Sequence, residues 1–128
     1  MADTKAIGRL GEDYAAEYLS RRGYIIKGRN FCKRCGEIDL IAQKNGILAF
    51  VEVKTRKSGS FSAPADAVTK AKQLKIIRTA AIYLQEHQSD LQPRFDVAEV
   101  FFEPQALKPI SIRYIKNAFW QEEDYAVF

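Results

Sequence analysis

Rare residue types are thinly spread through this chain: 128 residues include one His, two Cys, one Met and one Trp. A lone His87 leaves no Ser-His-Asp set to assemble around a nucleophile. Together with Cys32 and Cys35 it falls short of the four ligands of a zinc site. No Walker or dinucleotide glycine pattern occurs. Unbroken apolar runs stop at five residues (47–51 and 80–84), far below the roughly 20 that span a bilayer. No apolar stretch follows the first residues either, because Asp3, Lys5, Arg9, Glu12 and Asp13 interrupt it. A chain with two cysteines and no leader is expected to be reduced, cytoplasmic and independent of membranes.

What is present is ordinary globular material: 47% apolar residues, a length that suits one domain over 1–128, and no repeat or linker. The charge is lopsided. Residues 1–78 carry 16 Lys/Arg against 8 Asp/Glu, while 79–128 carry 4 against 8. A basic half points to a polyanionic partner, nucleic acid first.

The pattern predicts a helix over 5–22, with Ile7, Leu10, Gly11, Tyr14, Ala15, Tyr18 and Leu19 on one face and Gly23 as its stop. Gly8 and Gly11 each cost about 1 kcal/mol there relative to Ala, a cost expected to be offset by close approach to a neighbour. A strand over 24–30 and a basic loop over 31–36 follow. Strands over 37–44 and 47–55 are joined by Asn45-Gly46, the strongest short-range hairpin signal. After a loop over 57–63, a second helix is expected from Pro64 to about Glu86, its core stripe being Leu74, Ile77, Ala80, Ala81 and Leu84. Strands over 94–102 and 110–117 complete the order αβββαβ plus one strand. A parallel crossover between the third and fourth strands makes the central sheet mixed, with flanking helices. In the tail from Ala118, Phe119 and Trp120 read as a packing anchor and Glu122, Glu123 and Asp124 as solvated acids.

The hairpin carries the chemistry. A two-residue loop pairs Lys44 with Ile47, so Asp39 falls opposite Glu52 and Glu37 opposite Lys54. All four emerge on one face, beside Ile41, Leu48 and Phe50. Opposed like charges destabilise a sheet and one carboxyl should titrate high. Surface ion pairs are the plain alternative, but strands this apolar are expected to be buried, and buried charges require partners. A hard divalent cation, Mg²⁺ or Mn²⁺, supplies one. Lys54, about 7 Å along the strand from Glu52, then adjoins an activated water or a phosphate. That combination suits phosphodiester hydrolysis.

Four segments, Gly8-x-x-Gly11-Glu12, Gly36-Glu37-Ile38-Asp39-Leu40-Ile41, Phe50-Val51-Glu52-Val53-Lys54-Thr55-Arg56 and Arg94-Phe95-Asp96-Val97, resemble the YraN family over roughly residues 6–116. That family is placed in the restriction-endonuclease-like superfamily, near Holliday-junction resolvases. The resemblance implies an α/β restriction-endonuclease-like fold. It also implies Asp39 and Glu52 as catalytic metal ligands, the Val53 carbonyl as a further ligand and Lys54 as the catalytic lysine. Glu12 matches a helix acid that relatives use as an extra ligand; it is equally readable as an ordinary helix-surface acid. Ile38 stands where the superfamily's namesake motif has proline.

Supporting groups surround this centre. Lys70 and Gln73 extend the second helix's stripe and either contact phosphate or snorkel at the helix end. Lys72, Lys75 and Arg78 recur every third residue along a flank. With Arg56, Lys57, Lys27, Arg29, Lys33 and Arg34 they form a positive rim for phosphates. Glu37 is expected to pair with Lys54, and Asp96 to be a buried partner for a basic residue. Cys32 and Cys35 read as loop residues, a redox pair or zinc ligands shared across a dimer. The function expected is a metal-dependent endonuclease on DNA, ahead of RNA, with a homodimer as a candidate assembly; the alternative is a nucleic-acid-binding module without turnover.

Overall fold

The computed structural model describes residues 4–59 and 68–119. Its elements are α1 (Thr4–Arg21), β1 (Ile25–Lys33), β2 (Gly36–Lys44), β3 (Ile47–Lys57), α2 (Lys70–Glu86), β4 (Gln92–Glu103) and β5 (Lys108–Ile115). The strands form one sheet in the order β1-β2-β3-β4-β5. Only the β3–β4 pair is parallel, so the sheet is mixed and the fold is α/β in the expected element order. Ala15 and Leu19 of α1 pack with Leu40, Ala49, Val51, Ala98 and Val100 on one face. Ile76, Ala80 and Tyr83 of α2 pack with Ile41, Leu48, Phe50, Phe95 and Val97 on the other. The middle strands are covered on both sides, which is why they read as nearly continuous apolar runs. No helix among the described residues is long and apolar enough to cross a membrane.

Local chemistry sets the element ends. Asn45 (φ 49) and Gly46 (φ 79) both take the left-handed backbone that a type I′ turn demands. At the end of α1, Tyr24 N donates to Leu19 O and Gly23 N to Ser20 O, the paired bonds of a Schellman stop.

Several expected details differ. The basic loop over 31–36 shrinks to a turn at Arg34 and Cys35, because β1 runs on to Lys33 and pairs it with Gly36. The second helix starts not in the turn of Pro64, which lies outside the described residues, but at Lys70. Thr69 is its N-cap, accepting from Lys72 N at 3.2 Å. Its core stripe is rotated: Ile76, Thr79, Ala80 and Tyr83 are buried while Ala81 is exposed. A Tyr ring buries far more apolar area than an Ala methyl, and Tyr83 packs edge-on against Phe31 and Phe50. Thr79 tolerates burial because its hydroxyl donates to Lys75 O at 2.7 Å.

On α1, Leu10 is exposed rather than packed. The close approach belongs to Gly11 alone: a Cβ there would meet Thr55 Cγ2 at 2.8 Å, whereas one at Gly8 would meet nothing within 4 Å. Phe119 is the anchor expected of it, buried and stacked on Phe95 at 5.4 Å. Trp120 and the acids beyond it lie outside the described residues.

Candidate active site

The β2–β3 ladder keeps the expected register from Lys44↔Ile47 to Leu40↔Val51, and there it stops. One more rung would join Asp39 to Glu52, and another would turn Val53 N–H toward Ile38. Instead Val53 N–H donates to Asp39 Oδ2 at 2.8 Å. A side-chain acceptor has replaced a backbone one, so the strands part at the carboxylates. Ile38 consequently joins the α2-side cluster with Ile41 rather than alternating with it. The parting also removes the pairing expected between Glu37 and Lys54. Glu37 lies opposite Cys32 on β1 and accepts from its thiol at 3.4 Å.

Asp39 and Glu52 are 9% and 4% exposed. Burial first, then a hydrogen bond with Glu52 and that carboxylate's charge, push Asp39 up to about 8, against the Val53 N–H that favours the anion. Two cations reach the same Glu52 oxygen. Lys54 Nζ stands 3.6 Å from Oε2 and Lys72 Nζ 2.5 Å. Oε2 is buried and, these two ammoniums aside, has no hydrogen-bond partner among the described residues. Burial lowers the Lys72 ammonium's affinity for its proton, but Glu52 and Asp39 outweigh it and raise the pKa. Two opposed carboxylates with a deficit of donors suit a hard cation that brings its own waters.

Glu12 is half-buried beside this pair. Burial raises its pKa, offset by a hydrogen bond with Asn30 and by Arg29, and its charge is felt at Asp39. It does not complete a trio: among the described residues, no three His, Cys, Asp or Glu side chains converge closely enough to hold a metal. A cation here would rest on Asp39 and Glu52, with Glu12 in its outer surroundings.

The basic rim divides. Lys72 reaches Glu52. Lys57, Lys70 and Arg78 are exposed on β3 and α2, and Arg34 is exposed in the β1–β2 turn. Lys75 packs its stem and carbonyl against Gly36. Gln73 turns its amide to Val68 O at 3.0 Å, bracing the start of α2. Lys33 is committed to Glu86 at 2.7 Å; the 14 residues separating Lys72 from Glu86 put that contact about 21 Å along the helix. Arg29 pairs with Asp13 at 2.6 Å, and Arg56 leans on Glu99 at 3.4 Å.

Glu99 itself is a missed member. It is fully buried, in register beside Lys54, and accepts from Arg113 of β5 at 2.7 and 2.9 Å. The signal was an acid inside Val97-Ala98-Glu99-Val100, where only a paired charge survives burial. Asp96, on the α1 side, is the buried partner it was expected to be. It accepts from Arg94, from Tyr114 OH at 2.6 Å and from Asn117 N at 2.9 Å. Cys32 and Cys35 are free thiols, and Cys35 touches Thr79 Oγ1 at 3.3 Å.

A model of the uncharacterised protein family UPF0102 matches residues 11–100, which includes Glu12, Asp39, Glu52, Lys54 and Lys72. The chain belongs to the UPF0102 family. UPF0102 is the YraN family of the sequence resemblance. A UPF0102 protein of Symbiobacterium thermophilum is 48% identical over 117 residues, covering 91% of this chain and 98% of its own. One from Caldanaerobacter subterraneus is 45% identical over 116 residues, covering 90% and 95%. Another from Clostridium tetani is 44% identical over 116 residues, covering 90% and 94%. Each of these UPF0102 proteins is matched over nine-tenths or more of both chains.

Proposed function

We propose that this UPF0102 protein is a Mg²⁺- or Mn²⁺-dependent endonuclease acting on DNA, with structure rather than base sequence as its cue. The observation that carries the reading is the buried Asp39–Glu52 pair, short of donors, with the Lys54 ammonium 3.6 Å from Glu52 Oε2. Asp39 and Glu52 would hold the ion, together with the Val53 carbonyl implied by the family resemblance. A bound ion would supply a Lewis acid that neutralises phosphate charge and makes a water more acidic. Val53 N–H fixes the Asp39 carboxylate in place. Lys54, partly exposed beside the pair, is set to hold a proton next to an attacking water and to stabilise charge on the phosphoryl oxygens. The exposed cations Lys57, Lys70 and Arg78 would take neighbouring phosphates, a contact without base information. Nothing in the sequence resembles a base-reading helix, which favours branched or repair-intermediate DNA over a sequence motif.

The test is incubation of the purified chain with junction, flap, single-stranded and duplex DNA, in Mn²⁺ or EDTA, beside Asp39→Ala and Lys54→Ala. Metal-dependent cutting by the wild type that drops at least about 100-fold in both variants is expected, the size typical of a lost acid–base group. Cutting that survives both substitutions sinks the enzyme reading, and salt-sensitive binding without cutting turns it into a binding module.

A further inference from the structure

Lys72 meets Glu52 without a part in the chemistry proposed for the site. It sits in the first turn of α2, where Thr69 Oγ1 accepts from its backbone N–H and buried Val68 anchors the preceding chain. Its backbone is therefore held while its four-carbon stem is free to pivot. The ammonium stands 2.5 Å from Glu52 Oε2, with the lysine side chain 45% exposed and the glutamate side chain 3%. One end of the pair is locked in the sheet and the other faces water. Oε2 is shut off from solvent and has no other hydrogen-bond partner among the described residues, so its charge is met there by Lys72 and, more distantly, by Lys54.

We propose that Lys72 is a resident counter-ion which occupies the cation position in the metal-free protein, is displaced from Glu52 by a divalent ion, and then pairs with a phosphodiester of the bound nucleic acid. The inference rests on the proposed metal centre and adds an order and a coupling to it. A doubly charged ion on Asp39 and Glu52 cannot share the single buried oxygen with an ammonium at hydrogen-bonding distance, since like charges so close repel strongly. The released head needs another anion, and phosphate is the one the reaction brings. Metal and phosphodiester must then assist one another, by equal factors in either order of addition.

Titration of Mn²⁺ into the full-length metal-free wild type, Lys72→Met, Lys72→Arg and Asp39→Asn, without nucleic acid, separates the possibilities. Displacement requires Lys72→Met to bind Mn²⁺ about 10-fold more tightly than wild type, and Lys72→Arg to stay near wild type because the competing charge is kept. Wild-type binding that is unchanged or weakened in Lys72→Met overturns the counter-ion role while leaving the metal centre standing. Absence of Mn²⁺ binding in every variant overturns both. The wild type supplies a check that needs no stable variant: in ¹³C-lysine-labelled protein the Lys72 ε-methylene resonance should shift on adding Mg²⁺, and a stationary signal refutes displacement. Adding a short DNA duplex in EDTA should leave that resonance where it was, and a shift there overturns the metal-first order of the proposal.

Discussion

Burial makes the Asp39 proton bear directly on the stability of this fold. Its pKa is near 3.8 when unfolded and is pushed up to about 8 in the metal-free protein, through desolvation and the neighbouring Glu52. Between those values the native state binds more protons than the unfolded one, so stability must fall as pH rises from about 4 to about 8. Urea midpoints in EDTA should decline over that window and be nearly flat in Asp39→Asn; a wild-type midpoint that climbs contradicts the raised proton affinity. If Asp39 and Glu52 hold a metal as proposed, saturating Mn²⁺ should reverse the decline, because an ion held by both carboxylates would favour the folded chain. That Asp39, Glu52 and Lys54 lie close together was legible in advance because strand alternation and a two-residue turn are local rules. Lys72 was not. Spacing along α2 placed it on a flank, and its contact with Glu52 depends on how the helix sits on the sheet.

At the scale of single elements, the two glycines of α1 should part company. Gly8→Ala meets no neighbour and gains helix propensity, so it is expected to stabilise by about 0.5–1 kcal/mol. Gly11→Ala would put a methyl 2.8 Å from the stiff Thr55 side chain, an overpacking that costs about 1–3 kcal/mol and outweighs the same propensity gain. Thermal melts of the pair should move in opposite directions, and equal shifts would refute the close approach at Gly11. For α2, Thr69→Ala removes the N-cap acceptor and should cost about 1 kcal/mol, read from the denaturant midpoint. The helix start at Thr69 was missed from sequence because Pro64 offered an equally good N-terminal signal. Local propensity ranks such starts without knowing which residue the core holds, and here Val68 is buried just before Thr69.

Across the whole molecule, two buried acids of β4 bind the sheet together on opposite faces. Glu99 joins β4 to Arg113 of β5 and Arg56 of β3, while Asp96 gathers Arg94, Tyr114 and the backbone of Asn117. Removing a buried carboxylate leaves its cation uncompensated, so Asp96→Ala should cost about 3–5 kcal/mol. Chemical denaturation measures that loss, and a change below about 1 kcal/mol would mean the network adds little. The order of elements, the mixed sheet, the I′ hairpin and the β2–β3 register from Lys44↔Ile47 to Leu40↔Val51 were all determined by sequence alone. They follow from period-two and period-3.6 patterning and from a turn whose backbone few residue pairs adopt. Tertiary packing decided what those rules cannot reach: where the β2–β3 ladder opens to let Val53 N–H meet Asp39, and which lysine closes on Glu52. A one-residue rotation turns a helix face by about 100°, and that rotation was set by burial of Tyr83 against Phe31 and Phe50, contacts between segments far apart along the chain.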